Sequence, residues 1–284
     1  MNFFHYIFSS LTYFIYKLSK LLNLNNKNTL RVLMYHDIKK KEFKSFEQQI
    51  KLIKNDGWNF LHPNDLLHLR KKKIKGKNVI LTFDDGFFSN YVIERKILSK
   101  YKIKAAFFIP YNFMISKNKK ESLKFIKKQL KINKYESETY KKNNMDLGNV
   151  LKLSKNGHVI GYHTRNHIEL SKCGTKSKLK YEILGFTSNT FENLILKHKF
   201  FSFPFGKLDD VNKNSYIFAK KKYKFIFLGI RGENNKFNLQ HNLIFRDNFL
   251  LSYDKKMTLS ILNGYFDILY MFKKIKIFNK FSLN

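Results

Sequence analysis

The chain has 284 residues, the size of one large domain or two small ones, and its 43% content of hydrophobic residues excludes a wholly disordered protein. Its 55 Lys and Arg residues exceed its 21 Asp and Glu residues by 34, but the lysines are spread along the whole chain, so AT-rich codons explain them better than a specific nucleic-acid partner. The single cysteine, Cys173, excludes an internal disulfide framework and a cysteine-rich zinc site.

The N-terminal segment, residues 1–28, is apolar and basic. Residues 3–22 are rich in aromatic and aliphatic side chains, but His5, Lys17 and Lys20 leave fewer than the roughly 20 apolar residues that a membrane span needs. The segment lacks a basic first region and a small-residue cleavage site, so we expect no cleavable signal peptide. It predicts an amphipathic helix at a membrane surface; a helix packed on the domain and an uncleaved anchor are alternatives. The expected location is cytoplasmic or membrane-peripheral.

From residue 29 onward, short apolar runs alternate with stretches of helical periodicity. Predicted strands cover residues 30–35, 79–83, 105–109, 158–162, 199–203 and 225–228. Predicted helices cover residues 45–56, 64–73, 90–101, 147–155, 178–196 and 213–222. This alternation of strand and helix is typical of a parallel α/β architecture.

The same pattern predicts the domain organisation. Residues 115–145 interrupt the alternation with lysine-rich sequence and a helical stretch over 122–132, which predicts an insertion across one face. No Gly/Ser/Pro linker divides the chain, so we expect one catalytic domain over residues 29–255. Residues 256–284 predict a basic amphipathic extension, in which hydrophobic residues alternate with lysines from Tyr265 to Phe281.

Two adjacent carboxylates follow the second predicted strand, in the segment Thr82–Gly86. Sites in parallel α/β folds form beyond the carboxyl ends of strands. Asp84 and Asp85 repel each other there unless a cation or a proton compensates. An Asp-Gly turn that caps a helix is the alternative, but it explains only one of the two carboxylates.

Two histidines follow a later predicted strand, at His163 and His167. Their spacing suits a metal chelate, and together with Asp85 they would form a site of two histidines and one carboxylate. Such a site suits zinc first, and also cobalt, manganese, nickel or iron. Asp84 would then remain unligated and could accept a proton from a water whose pKa the metal lowers.

These residues resemble the polysaccharide deacetylase family, which shares the NodB homology domain. The resemblance covers residues 31–249, and its matching segments keep the family's order. They are the Tyr-His strand end Met34–His36, the T-F-D-D-G motif Thr82–Gly86, the strand Ala105–Pro110, the H-[ST]-x-x-H type motif His163–His167, and the F-x-Y-P-[YF]-G type motif Phe201–Gly206.

The resemblance implies a distorted (β/α) barrel and the metal-dependent hydrolysis of an acetamide on an N-acetylated sugar. It implies that Asp85, His163 and His167 bind the metal and that Asp84 is the catalytic base.

The resemblance also implies where the substrate binds. The backbone amide of Phe205 would face the oxyanion of the tetrahedral intermediate. Pro204 and Tyr35 belong to the matching segments and would help to form the substrate site.

The chain departs from the family pattern at two functional positions. The arginine that many members carry two residues before the motif proline is replaced by Ser202, and Arg246 in a later segment is predicted to orient Asp84 instead. The family's late L-x-H motif, which supplies the general acid, is matched only loosely around His241. His36 is the alternative acid, or a partner of the residues that touch the substrate.

The expected substrate is a surface polysaccharide or a lipid-linked glycan, and the apolar, basic chain ends fit a protein that rests on an anionic membrane. A deformylase or another C–N amide hydrolase with this fold is an alternative. A catalytically silent glycan-binding protein is another, although binding alone would not need both carboxylates.

Overall fold

A computed structural model describes residues 10–18 and 28–283, and its centre is a parallel β-barrel. Neighbouring strands follow the order β8-β7-β6-β5-β4-β3-β1-β9, and β2 pairs with β3 beside this path. The strands are β1 (Thr29–Tyr35), β2 (Asn59–Phe60), β3 (Lys77–Phe83), β4 (Ala105–Ile109), β5 (Val159–Tyr162), β6 (Phe200–Ser202), β7 (Phe225–Leu228), β8 (Leu243–Phe245) and β9 (Asp247–Asn248). The predicted distorted (β/α) barrel is confirmed.

The barrel closes through the chain itself. The strands at the two ends of this order, β8 and β9, are consecutive in sequence, and only Arg246 lies between them. β8 pairs with β7, whereas β9 pairs with β1 through Leu33 and Asp247. The residue between β8 and β9 therefore lies where the two ends of the sheet meet.

Side chains alternate between the barrel interior and the layer of helices outside. The interior cluster is apolar and aromatic, and includes Val32, Ile80, Phe108, Phe200, Phe227 and Ile244. The strands read as continuous apolar runs because helices cover their outer faces as well. By the same alternation, the side chains of Thr82, Ser202 and Arg246 point into the interior at the carboxyl ends of the strands, which we call the upper end of the barrel. The side chain of Tyr35 points outward.

Helices of different lengths surround the strands. They span Phe43–Asn55, Leu66–Leu69, Phe88–Ile93, Tyr111–Met114, Lys119–Lys128, Leu147–Lys155, Lys176–Leu184, Asn189–His198, Lys213–Lys220, Lys236–Gln240, Lys255–Leu262 and Met271–Phe281. The single helix predicted over residues 178–196 is wrong, because Lys176–Leu184 ends at Gly185 and the next helix starts afresh. Its N-cap is Ser188, whose hydroxyl accepts a hydrogen bond from the amide of Phe191.

The segment predicted as an insertion packs above the carboxyl ends of β3 and β4. Phe125, Ile126 and Leu130 form a small apolar cluster with Phe87 and Phe113. The insertion is held in place at its far end, where the amide of Met145 donates a hydrogen bond to the carbonyl of Gly86. It therefore borders the edge of the barrel where the sequence predicts the site.

The C-terminal segment packs tightly on the barrel. Ile277 and Phe281 belong to the main core, and the ring of Phe281 stacks on Tyr216 with a centroid separation of 4.1 Å. The buried Arg31 of β1 binds both Asp247 and, at 2.7 Å, Asp267. The residues predicted as an extension thus contribute to the core of the domain.

Residues 10–18 are helical and contact this C-terminal segment. The hydroxyl of Thr12 donates a hydrogen bond to Ser260 Oγ at 2.9 Å, and Tyr16 bonds Asp56. The rest of the predicted N-terminal helix lies outside the described residues. Within residues 10–18 and 28–283, no helix combines the length and apolarity needed to cross a bilayer.

Candidate active site

Asp84 and Arg246 form a buried pair at the upper end of the barrel interior. Arg246 donates to both carboxylate oxygens of Asp84, with N···O distances of 2.6 and 2.7 Å. Its remaining hydrogen bonds go to Ser202 Oγ, Thr82 Oγ1 and the carbonyl of Leu228. All five guanidinium N–H groups therefore have an acceptor, which fixes the orientation of the carboxylate.

The predicted metal ligands Asp85, His163 and His167 come together beside this pair. One potential ligand atom from each residue lies within 4.8 Å of the other two, and all three residues are buried. The Nε2 atoms of His163 and His167 lie 3.6 and 3.1 Å from Asp85 Oδ1. The three donors thus converge on one point.

Backbone carbonyls set the tautomers of both histidines. His163 Nδ1 lies 2.8 Å from the carbonyl of Ser202, and His167 Nδ1 lies 3.2 Å from the carbonyl of Gln129. A carbonyl can only accept, so each Nδ1 carries a proton, and the Nε2 atom that faces Asp85 is the one able to bind a metal. Such outer hydrogen bonds are typical of metal-binding histidines.

These donors fit a divalent cation. Asp85 Oδ1 is buried without an aligned hydrogen-bond donor, and the Nε2 atoms of both histidines face it at ion-pair distance. When both rings are neutral, three electron-rich atoms in this arrangement repel one another, and a cation between them removes that repulsion. Two imidazoles and a carboxylate suit zinc, and also the other metals named above.

The backbone of the site is unusual. Asp85, Thr164, His167 and Phe205 all have φ between 53° and 71°, a region that residues other than glycine rarely occupy. Each such residue costs of order 1–3 kcal/mol, and such residues cluster at functional sites. The next residue, Gly206, has no room for a side chain, because a Cβ at this position would lie 2.5 Å from the amide nitrogen of Gly229.

Charges near the two aspartates overcome the effect of burial. Burial raises the pKa of Asp84, but the positive charge of Arg246, assisted by His163, lowers the net pKa below its ordinary value. Burial likewise raises the pKa of Asp85, but His167 and His163 hold it well below its ordinary value. Both carboxylates are therefore ionised at neutral pH.

A cavity of about 350 Å³ opens onto these groups. Its lining residues are Met34, His36, Asp37, Asp84, Asp85, Phe87, Leu130, Ile132, His163, His167 and Phe205. A second depression of about 580 Å³ shares His167 and Phe205 with it and extends along the insertion. The two together are large enough for a sugar and part of its neighbour.

The structure brings some of the other predicted residues to the cavity. His36 is exposed and lines it, and Phe205 lines it with its ring 4.8 Å from the ring of His167. Pro204 is buried next to Phe205 and is not part of the lining.

Two residues lie elsewhere. Tyr35 points out of the barrel, where its ring packs against Phe46 and Phe83 and its hydroxyl bonds Gln49, because β1 alternates its side chains. Only its backbone carbonyl reaches the site, as the acceptor for the amide of Asp84. His241 precedes β8 and so lies at the opposite end of the barrel from Asp84.

Several contributors to the site carry no sequence signal that predicts their role. Gln129 holds His167 through a backbone carbonyl, Lys131 places its Nζ 4.5 Å from the centre of the Phe205 ring, and Leu130 and Ile132 form a cavity wall. All belong to the insertion, where the sequence carries no motif. Ser202 stands where the family pattern has an arginine, and its hydroxyl accepts a hydrogen bond from Arg246 while its carbonyl accepts one from His163.

Comparisons with known proteins agree with this geometry. The sequence profile of the family described as Polysaccharide deacetylase matches residues 71–224, which is more than half of the chain. The Bacillus subtilis (strain 168) protein YxkH, named as a candidate polysaccharide deacetylase, is 26% identical over 189 residues. That match covers 64% of this chain and 58% of YxkH.

Solved structures share the fold. The Streptococcus pyogenes deacetylase PplD, solved in complex with acetate, has a TM-score of 0.61 at 19% identity, over 82% of this chain and 98% of PplD. IcaB from Ammonifex degensii has a TM-score of 0.61 at 18% identity, over 84% of this chain and 98% of IcaB. The fold, the ordered motifs and the family profile together show that this chain belongs to the polysaccharide deacetylase family.

Proposed function

We propose that this protein is a metal-dependent hydrolase that removes an N-acetyl group from an N-acetylated sugar of a surface polysaccharide or a lipid-linked glycan. One observation carries the proposal: an ionised, buried Asp84 is locked by Arg246 beside three converging metal donors. An ion pair that only stabilised the fold would not require a metal site beside it. Metal-dependent hydrolysis requires both an oriented general base and a metal site.

The chain's own residues divide the work of amide hydrolysis. Asp85, His163 and His167 would hold a divalent cation, which when bound supplies Lewis-acid polarisation and a water of lowered pKa. Asp84 is placed to accept a proton at its carboxylate. Arg246 keeps that carboxylate ionised and oriented, so that it can act as a general base.

Phe205 supports the proposal through its backbone. Its φ of 60° turns the peptide away from regular structure, and its amide has no hydrogen-bond acceptor within the described part of the chain. That N–H is available to the oxyanion of the tetrahedral intermediate. In other enzymes the loss of one such donor costs about 2.7–4 kcal/mol of transition-state stabilisation.

We assign His36 as the proton donor to the leaving amine. It is exposed, it follows β1 at the edge of the barrel that carries the site, and it lines the cavity with both aspartates. His241 cannot serve from the opposite end of the barrel. A His36→Gln variant should lose the alkaline limb of the pH–rate profile as well as turnover.

The test is acetate release from N-acetylated oligosaccharides and lipid-linked sugars, with and without chelator. Asp84→Asn should lower turnover by at least about 100-fold while Asp209→Asn, which changes an exposed aspartate, leaves it unchanged. Chelator should abolish the activity and added zinc should restore it. No acetate from any substrate with metal restored would refute the proposal, and formate release from N-formylated sugars alone would favour the deformylase.

A further inference from the structure

Exposed apolar side chains are concentrated at the two ends of the chain. The described residues expose sixteen large hydrophobic side chains, and nine of them fall within residues 11–18 and 268–275. The C-terminal apolar face consists of Ile268, Leu269, Met271, Phe272 and Ile275. The N-terminal apolar stripe consists of Leu11, Phe14, Ile15 and Leu18. Clustering of this kind marks an interaction surface, whereas single exposed side chains are ordinary.

The C-terminal apolar face cannot turn inward. It spans the 3-10 turn Asp267–Tyr270 and the start of the helix Met271–Phe281, and the other side of that helix is already buried through Ile277 and Phe281. Lys274 is pinned as well, because its Nζ donates to the carbonyl of Glu233. Phe272 and Ile268 consequently remain 69% and 66% exposed.

The N-terminal apolar stripe shows the same arrangement. Its members are spaced by three and four residues along the helical segment, so they share one side. Thr12 and Tyr16 on the other side bind the domain, and the Thr12–Ser260 hydrogen bond joins this segment to the chain just before Ile268. The N-terminal segment is therefore held by the helix Lys255–Leu262, after which the chain continues into the C-terminal apolar face.

Charge identifies the partner. No Asp or Glu precedes Asp37 in the sequence and none follows Asp267, so both apolar surfaces lie in acid-free segments. Exposed Lys273 and Lys276 lie among the members of the C-terminal apolar face. Apolar side chains interleaved with lysine match an anionic lipid surface, where each nearby lysine adds attraction and each apolar side chain enters the acyl boundary.

We propose that the C-terminal apolar face and the N-terminal apolar stripe dock this protein on an anionic lipid bilayer, as a surface-bound protein that does not span it. A second copy of the chain is a poorer occupant, because a net charge of +34 makes two copies repel each other. The inference rests on surface residues outside the active site, so it stands independently of the proposed function.

The experiment is co-sedimentation of the full-length protein with vesicles. The wild type should bind phosphatidylcholine–phosphatidylglycerol vesicles, bind pure phosphatidylcholine much more weakly, and lose affinity as salt is raised. Ile268→Ser/Phe272→Ser and Leu11→Ser/Phe14→Ser should each weaken binding about tenfold or more. The matched control Leu151→Ser/Leu196→Ser removes two exposed apolar side chains that belong to neither surface and should change binding less than about twofold.

Acetate release and thermal melting show whether a loss of vesicle binding is due to misfolding. Acetate release from a soluble oligosaccharide and the melting temperature should be unchanged in the variants of the apolar surfaces. If one of them melts lower, Lys273→Gln/Lys276→Gln decides, and it should reduce binding only to anionic vesicles. A wild type that ignores vesicles would overturn the proposal. An equal loss of vesicle binding in the Leu151→Ser/Leu196→Ser control would also overturn it. So would a wild-type dimer that becomes monomeric only in the Ile268→Ser/Phe272→Ser variant.

Discussion

Replacing Arg246 by methionine tests how the site holds its catalytic carboxylate. The guanidinium is almost fully buried and donates one charged hydrogen bond to each carboxylate oxygen of Asp84. It also lies over the rings of Phe108 and Phe227, at 5.3 and 5.8 Å from their centroids. Methionine keeps much of this packing but leaves the carboxylate charged and without its cation.

The expected cost follows from this burial. Removing one partner of a buried ion pair costs about 3–5 kcal/mol, because the other charge is left uncompensated. A domain is typically stable by about 5–15 kcal/mol, so Arg246→Met should still fold. Arg246→Lys should also be destabilised, since a lysine offers three donors where the arginine uses five.

Urea unfolding of the metal-free protein measures the free energy of unfolding of each variant. The double variant Arg246→Met/Asp84→Asn removes both charges and should be less destabilised than the sum of the single variants, by about 2 kcal/mol or more. Turnover of the zinc-loaded Arg246→Met protein should fall by about 100-fold or more. Additive free energies together with unchanged turnover would show that Arg246 does not position Asp84.

Two other predictions concern the metal and acid stability. Asp85→Asn should lose more zinc affinity than the roughly 10–100-fold typical of removing an outer partner, measured by competition with a chromogenic chelator; equal affinity would place the metal elsewhere. Burial raises the pKa of Glu94, but hydrogen bonds from His158 and Asn156 outweigh this and lower it. Glu94 therefore stabilises the fold above its unfolded pKa of about 4.3, and this contribution is lost as the pH falls through the folded pKa. Glu94→Gln should accordingly flatten the loss of stability below about pH 4.3, and an unchanged acid profile would contradict this.

The barrel and the metal donors could be predicted because their signals are local. Buried parallel strands show as apolar runs, and residues just after such runs, such as Asp85 and His163, must meet at one edge of the sheet. The sequence does not reveal the helix boundary through its apolar period, which continues across residues 178–196; the break is marked only by Gly185 and by the cap at Ser188.

The insertion could not be predicted in the same way. Gln129 contributes only a carbonyl to His167, and every residue has a carbonyl, so its side chain carries no signal. Tyr35 matched a family segment, yet strand alternation turned its ring out of the barrel. The direction of the Tyr35 side chain depends on its position in the alternation of β1, which the motif alone does not specify.

By itself, the sequence determined which side chains could carry the chemistry and that the carboxyl ends of parallel strands would gather them. The tertiary structure alone decided how Asp84 is held, since Arg246 lies 162 residues away and reaches it only where β8 and β9 close the barrel. It also decided which apolar residues at the chain ends stay in solvent. Both outcomes depend on long-range packing, in which register and closure, rather than local period, determine what each side chain meets.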